Sequence, residues 1–207
     1  MGSIAKPRSS KDEYYDVGLF EWPVTTSNSE AQIWFHRGII WAYAFNHVEA
    51  TVCFEESVRH DPDFVMGYWG IAYASGPHYN KSWAAMDTKD LNTSLEKCRT
   101  ASKQGNEISK SAPAVERALM DAIQYRIPAD KEHFQAANVA YAEAMRKVYD
   151  EFGKEHLNVA VLFADALMNT APWQLFEART GKPNLKTPVL EILKVLNEAI
   201  NRPGARQ

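Results

Sequence analysis

One register constrains residues 31–62 more than any other feature of this chain. Counted from Ala31 as the first position, Trp34, Gly38 and Trp41 fall at positions 4, 8 and 11, and Ala50, Phe54 and Pro62 at 20, 24 and 32. Small residues at 8 and 20, an aromatic at 24 and a proline at 32 are the spacing of a helix–turn–helix unit of about 34 residues. Gly38 and Ala50 let two helices approach closely, Phe54 fills the gap between them, and Pro62 stops the second helix. Such a unit cannot bury its apolar faces alone, so it demands neighbours of the same kind.

The following sequence supplies them. Val65 begins a second unit, with Tyr68, Ile71 and Ala72 at positions 4, 7 and 8 and Gly76-Pro77 ending its first helix. An insert from His78 to Lys89 precedes the partner helix, expected over Leu91–Gln104. A third pair reads as Ala112–Ile127 and Lys131–Phe152, with Pro128 between. A fourth reads as Glu155–Met168 and, after an insert holding Pro172, Gly181, Pro183 and Pro188, Val189–Asn201. The expected fold is therefore all-α: an α-solenoid of about four antiparallel helix pairs over residues 31–207, with inserts at the turns inside the pairs. Residues 1–30 carry Pro7, Gly18, Pro23 and the polar run Thr25–Ser29, and are expected to be irregular.

The last helix has its own message. Val189, Leu190, Ile192, Leu193, Val195, Leu196, Ala199 and Ile200 cover well over half its circumference, leaving Glu191, Lys194, Asn197 and Glu198 as a polar strip. A terminal repeat helix normally shows water a polar face. The sequence thus predicts that further protein or a second copy covers this helix, and Pro203–Gln207 offers no cap.

Composition removes several function classes. A net charge of −3 and a pI near 6.1 leave no basic footprint for nucleic acid. No apolar run approaches the roughly 20 residues that cross a bilayer, and Met1–Ser10 lacks the apolar stretch of a signal peptide. The chain opens Met-Gly, but Lys6 stands where a myristoylation signal needs Ser or Thr. Cys53 and Cys98 are too few for a disulfide framework or a cysteine-based zinc site. These features predict a cytoplasmic protein with reduced thiols and no nucleic-acid or membrane partner.

The string from Trp34 to Asn80 resembles the tetratricopeptide-domain proteins of fungi and bacteria. Asn46-His47, Asp61-Pro62, Trp69-Gly70 and Gly76-Pro77 with Asn80 match turns and pairs that the family carries in this order, and the segment from Leu162 to Phe176 is similar to a later part of it. The resemblance covers about Tyr15 to Gln207, and implies that the chain corresponds to the N-terminal part of longer proteins. It departs at His36, where the family pattern has Asp. The resemblance implies a helical-repeat fold and supplies no reaction.

Chemistry-bearing residues gather at the turns. Asn46 is placed to cap the second helix, with Glu49 three residues on to complete a capping box. His60 sits at a helix end, where a cationic ring suits the carbonyls. In a helix-pair stack the turns lie along one rim, which would align Phe45-Asn46-His47, Gly76–Asn80 and Asn169–Trp173. His47 and His78 are then candidate ligands of a divalent metal ion, in a metal-assisted enzyme of fungal or bacterial small-molecule metabolism, although two histidines do not complete a site. Phe35, Trp69 and Tyr73, with Ile39, occupy groove-facing positions. Their plain role is packing between repeats, and their functional role is to bind, with Asn80, a peptide or small aromatic ligand. Arg37 stands at a position usually apolar, with Asp61 or Glu56 as partners. No nucleophile elbow or glycine-rich phosphate loop is present. The leading expectation is an interaction scaffold for a partner protein or peptide, or for self-association through the C-terminal helix.

Overall fold

The computed structural model of the protein describes residues 7–202; Met1–Lys6 and the Pro203–Gln207 tail lie outside the described residues. All regular elements among these residues are helical: α1 (Ser29–Tyr43), α2 (His47–His60), α3 (Val65–Ser75), α4 (Thr88–Ile108), α5 (Ala114–Ile123), α6 (Phe134–Phe152), α7 (Leu157–Met168) and α8 (Val189–Ile200). Extended pairing among them is confined to two isolated bridges, His78 with Lys81 and Phe176 with Pro183. α4 is longer at both ends than the expected Leu91–Gln104. α5 stops at Ile123 and passes into a single 3-10 turn, Gln124–Arg126, while Lys131–His133 forms another such turn before α6. No helix of the described residues is long and apolar enough to cross a membrane.

The chain divides into two compact units: residues 7–75 with 94–120, and residues 76–93 with 121–202. In the first unit α1 packs on α2 and both pack on α3. Their common centre is the Phe54 ring, which is fully buried. A Cβ at Gly38 would come within 2.6 Å of that ring, and one at Gly70 within 2.3 Å. The ring therefore has room only because α1 and α3 each present a glycine to it. Phe35 packs edgewise and tilted around it, with centroids 5.6 Å from Phe54 and 5.5 Å from Phe64.

The helix starts are held by asparagines. Asn28 Oδ1 accepts from the amides of Glu30 and Ala31 to cap α1, and Asn28 Nδ2 donates to the His60 carbonyl (2.8 Å), tying the start of α1 to the end of α2. Asn46 Oδ1 accepts from Glu49 N at 3.2 Å, which is half of the expected capping box. The other half is not made, because the Asn46 amide donates to the Trp41 carbonyl and the Glu49 carboxylate accepts from Tyr14 Oη instead. Between the two helices Phe45 takes a left-handed φ of 63°, an unfavourable conformation for a bulky side chain.

In the second unit α6 packs on α7, and α7 on α8. The Tyr149 and Phe163 rings stack at 5.0 Å between α6 and α7. Arg126 is buried, donates to the Pro77 carbonyl and lies 5.3 Å from the centre of the Tyr141 ring. The Trp83 indole donates to the Arg126 carbonyl at 3.2 Å, fastening the insert 77–86 to the helices. Arg146 of α6 forks onto Glu191 of α8, and the carboxylate holds its guanidinium charged against the opposing effect of burial. On α8, Val189, Ile192, Val195 and Ala199 are buried, whereas Leu190, Leu193 and Ile200 are exposed and Leu196 is half-buried.

Candidate functional site

Residues 7–28, the described part of the chain before α1, have no regular structure, yet much of this segment is tied to the helices by hydrogen bonds. Its first half lies on α1 and α2. The Arg8 amide and guanidinium both donate to Glu56, at 3.0 and 3.3 Å. The Arg8 carbonyl accepts from the Trp34 indole (3.1 Å) and from His60 Nε2 (2.6 Å). Ser10 donates twice to Glu30, through its amide at 2.5 Å and its hydroxyl at 2.7 Å. Tyr14 closes this half: its hydroxyl donates to Glu49 (2.8 Å) and accepts from the Trp41 indole (2.7 Å).

Arg37 belongs to the same contact. It donates to the Ser10 carbonyl at 2.9 Å and its guanidinium lies 4.1 Å from the Tyr14 ring centre and 4.5 Å from that of Trp34. The pairing expected with Asp61 or Glu56 is not made. Glu56 is taken by Arg8 and Arg59, and Asp61 accepts from Thr26 Oγ1. Of the two cation–π partners, Trp34 is an i,i+3 neighbour on α1, whereas Tyr14 is one that sequence spacing does not reveal. Cys53 lies 3.1 Å from the Tyr14 hydroxyl, and burial pushes its thiol up to about 11. Cys98 is buried as well, with its Sγ against the Ala72 carbonyl. Neither thiol has the electropositive, exposed setting of a nucleophile.

The second half lies against α1 and α3. Residues 15–21 pass over α1 above a shallow cleft of about 260 Å³ lined by Leu19, Phe20, Ile33, His36 and Ile40 among others. At Trp22 the chain then packs against α1 and α3. Its ring sits 5.7 Å from that of Phe35 and 5.7 Å from that of Trp69, edge-on to the latter. Trp69 in turn stacks on Tyr73 at 5.0 Å with the planes 9° apart. Phe35, Trp69 and Tyr73, the predicted ligand-binding aromatics, are all buried around Trp22. Asn80, predicted to act with them, is exposed and belongs to the second unit.

The backbone of the crossing segment is read by two side chains. Gln32 accepts from the Val24 amide at 3.1 Å and donates to the Trp22 carbonyl at 3.3 Å, so its amide makes a two-point contact such as a neighbouring strand would make. Glu116 of α5 accepts from the Thr25 amide at 2.7 Å. Glu116 is buried, and burial raises its pKa although the bonds to Thr25 pull it back. Gln32 Nε2 also meets His36 Nε2 at 2.8 Å. The amide can only donate there, so the imidazole accepts and is neutral. Burial, which lowers the His36 pKa, favours the same form. His36 thus supports Gln32.

The candidate metal ligands lie in different units. His47 opens α2 in the first unit, half-buried, with its carbonyl accepting from Thr51 Oγ1 at 2.9 Å. His78 is in the second unit, where its backbone pairs with Lys81. Among the described residues no group of three or more His, Cys, Asp or Glu is placed to hold a metal ion. In the second unit Tyr79 and Trp173 bring two of the turn segments together, with ring centroids 5.4 Å apart; Trp173 has a left-handed φ of 63° and is 70% exposed.

Sequence reasoning passed over Trp22, Gln32 and Glu116. A lone Trp-Pro pair in a polar stretch outside any helical period was the available signal for the first. Nothing in the periodicity marks the other two. No protein-family model, curated protein or solved structure matches this chain.

Proposed function

We propose that this chain is a tetratricopeptide-type scaffold of stacked helix pairs, in the manner of an α-solenoid, whose task is to bind a partner protein or peptide. The observation that carries the reading is the way Gln32 and Glu116 hold the backbone of a segment without regular structure while Phe35 and Trp69 receive its aromatic side chain. Recognition of backbone by fixed polar groups and of one side chain by a pocket is the general mode by which helical and sheet scaffolds take extended peptides. The register of Gly38, Ala50 and Phe54 supports the repeat assignment, and the buried free thiols fit a cytoplasmic setting. Selection from a random peptide library on the immobilised full chain tests the function. Enriched peptides should bind the wild-type chain and lose affinity when Gln32 or Phe35 is changed to Ala. Enrichment of nothing above background contradicts the reading.

Self-association is a second interaction proposed for the same chain, through the exposed Leu190, Leu193 and Ile200 of α8. Leu190→Lys with Leu193→Lys leaves the buried Val189, Ile192 and Val195 in place. Light scattering should then show a mass that rises with concentration for the wild-type chain and stays monomeric for the variant. A wild-type chain that is monomeric throughout removes this interaction.

A further inference from the structure

The groove already contains a peptide. Trp22-Pro23-Val24-Thr25 carries one buried aromatic and is gripped through the Trp22 carbonyl and the amides of Val24 and Thr25. Proline has no amide to satisfy and prefers the extended left-handed conformation, so an aromatic–proline segment reaches this shape at low entropic cost. The grip is also incomplete. Trp69 Nε1 and Glu116 Oε2 are both buried and, among the described residues, neither has a hydrogen-bond partner. A better-matched ligand could use both. The lead-in segment is loosely held by comparison: Leu19 is 97% exposed, and Gly18 takes φ 81° with nothing within 4 Å of where its Cβ would be.

We propose that the groove formed by Gln32, Phe35, Trp69 and Glu116 is a site for an extended aromatic–proline peptide of a partner protein, and that Trp22–Thr25 occupies it as an intramolecular competitor. This deepens the scaffold reading and rests on it. A tethered segment acts at a high effective concentration, so a free peptide must outbid it or the arm must be loosened before a partner enters. The arm thereby sets a threshold: only ligands that also engage Trp69 Nε1 or Glu116 Oε2 displace it from the wild-type chain.

The test uses the full chain and a fluorescent peptide with the sequence of residues 19–28, followed by anisotropy. The wild-type chain should bind it weakly. Trp22→Ala, which weakens the internal competitor, should bind at least ten-fold more tightly. A peptide in which Trp is replaced by Ala should not bind either chain. Where Trp22→Ala fails to fold, Pro23→Gly loosens the arm without emptying the aromatic pocket and serves in its place. Equal weak binding by the wild-type chain and by a folded loosened variant overturns the proposal. Library-selected peptides that bind regardless of Gln32 and Trp22 would overturn it too, while leaving the scaffold reading intact. A wild-type chain that dimerises by exchanging arms, lost in Trp22→Ala, would make the occupant a second copy and overturn the partner assignment.

Discussion

The two units solve the burial problem differently. In the first, one ring does most of the work: Phe54 is enclosed by a glycine from α1 and a glycine from α3, and the aromatic stack of Phe35, Trp69 and Tyr73 is closed by Trp22 from the arm. In the second, the inserts between helices leave aromatics at the surface. Trp173 and Phe176 are exposed, Leu185 is 74% exposed, and one side of α8 shows Leu190, Leu193 and Ile200. The difference teaches where a covering segment matters. The first unit packs Trp22 over its aromatic stack, and among the described residues the second leaves Trp173, Phe176 and one side of α8 exposed.

The largest effects should appear where that comparison is sharpest. Phe54→Ala removes the ring that two glycines are shaped around and should cost about 3–5 kcal/mol in urea or thermal unfolding. Gly38→Leu forces side-chain atoms into the same ring and should cost about 1–3 kcal/mol. Unchanged melting in either variant would remove the packing centre assigned to the first unit. In the second unit the Arg146–Glu191 pair links α6 to α8, beside a Tyr149–Glu198 hydrogen bond, but its side chains are 33% and 37% exposed. Solvent screens such a pair, so Glu191→Gln should cost only about 0.2–1 kcal/mol, less at high salt.

The fold was legible where helix geometry sets the spacing of residues and illegible where it does not. Gly38, Ala50, Phe54 and Pro62 announced a helix pair because their spacing follows helix geometry, and α1, α2, α3, α7 and α8 begin and end within a few residues of where that spacing puts them. Asn46 was readable as a cap because capping is local, but the return bond from Glu49 was not, since Tyr14 from the arm competes for it. The arm itself carried no period. It is fixed by side chains reaching backbone atoms, Gln32 to residues 22 and 24 and Glu116 to residue 25, and contacts over 91 residues leave no trace in spacing. Arg37 failed for the same reason: its ring partner Tyr14 lies in that arm.

Smaller effects sharpen the picture of the groove. Burial raises the Glu116 pKa above its ordinary 4.5, so the folded chain holds that proton to higher pH than the unfolded chain. Its contribution is therefore most favourable at low pH and is lost as pH rises through the window above 4.5. Glu116→Gln keeps an acceptor for the Thr25 amide without the buried charge. Its stability relative to wild type should be lowest in acid and should improve as pH rises to neutral; a difference that does not change with pH contradicts the assigned burial. Smallest of all, Phe45→Gly relieves a left-handed bulky residue in an exposed turn and should stabilise the chain by about 0.5–1 kcal/mol.

Hydrogen exchange on the full wild-type chain, with and without a saturating library-selected peptide, tests the central claim that the groove of the first unit is the binding site and the arm its resident occupant. The Val24 and Thr25 amides, bonded to Gln32 and Glu116, should be protected in the free chain and lose that protection when peptide is bound, while α1 and α3 remain protected. A bound peptide that leaves the protection of Val24 and Thr25 unchanged would contradict the account.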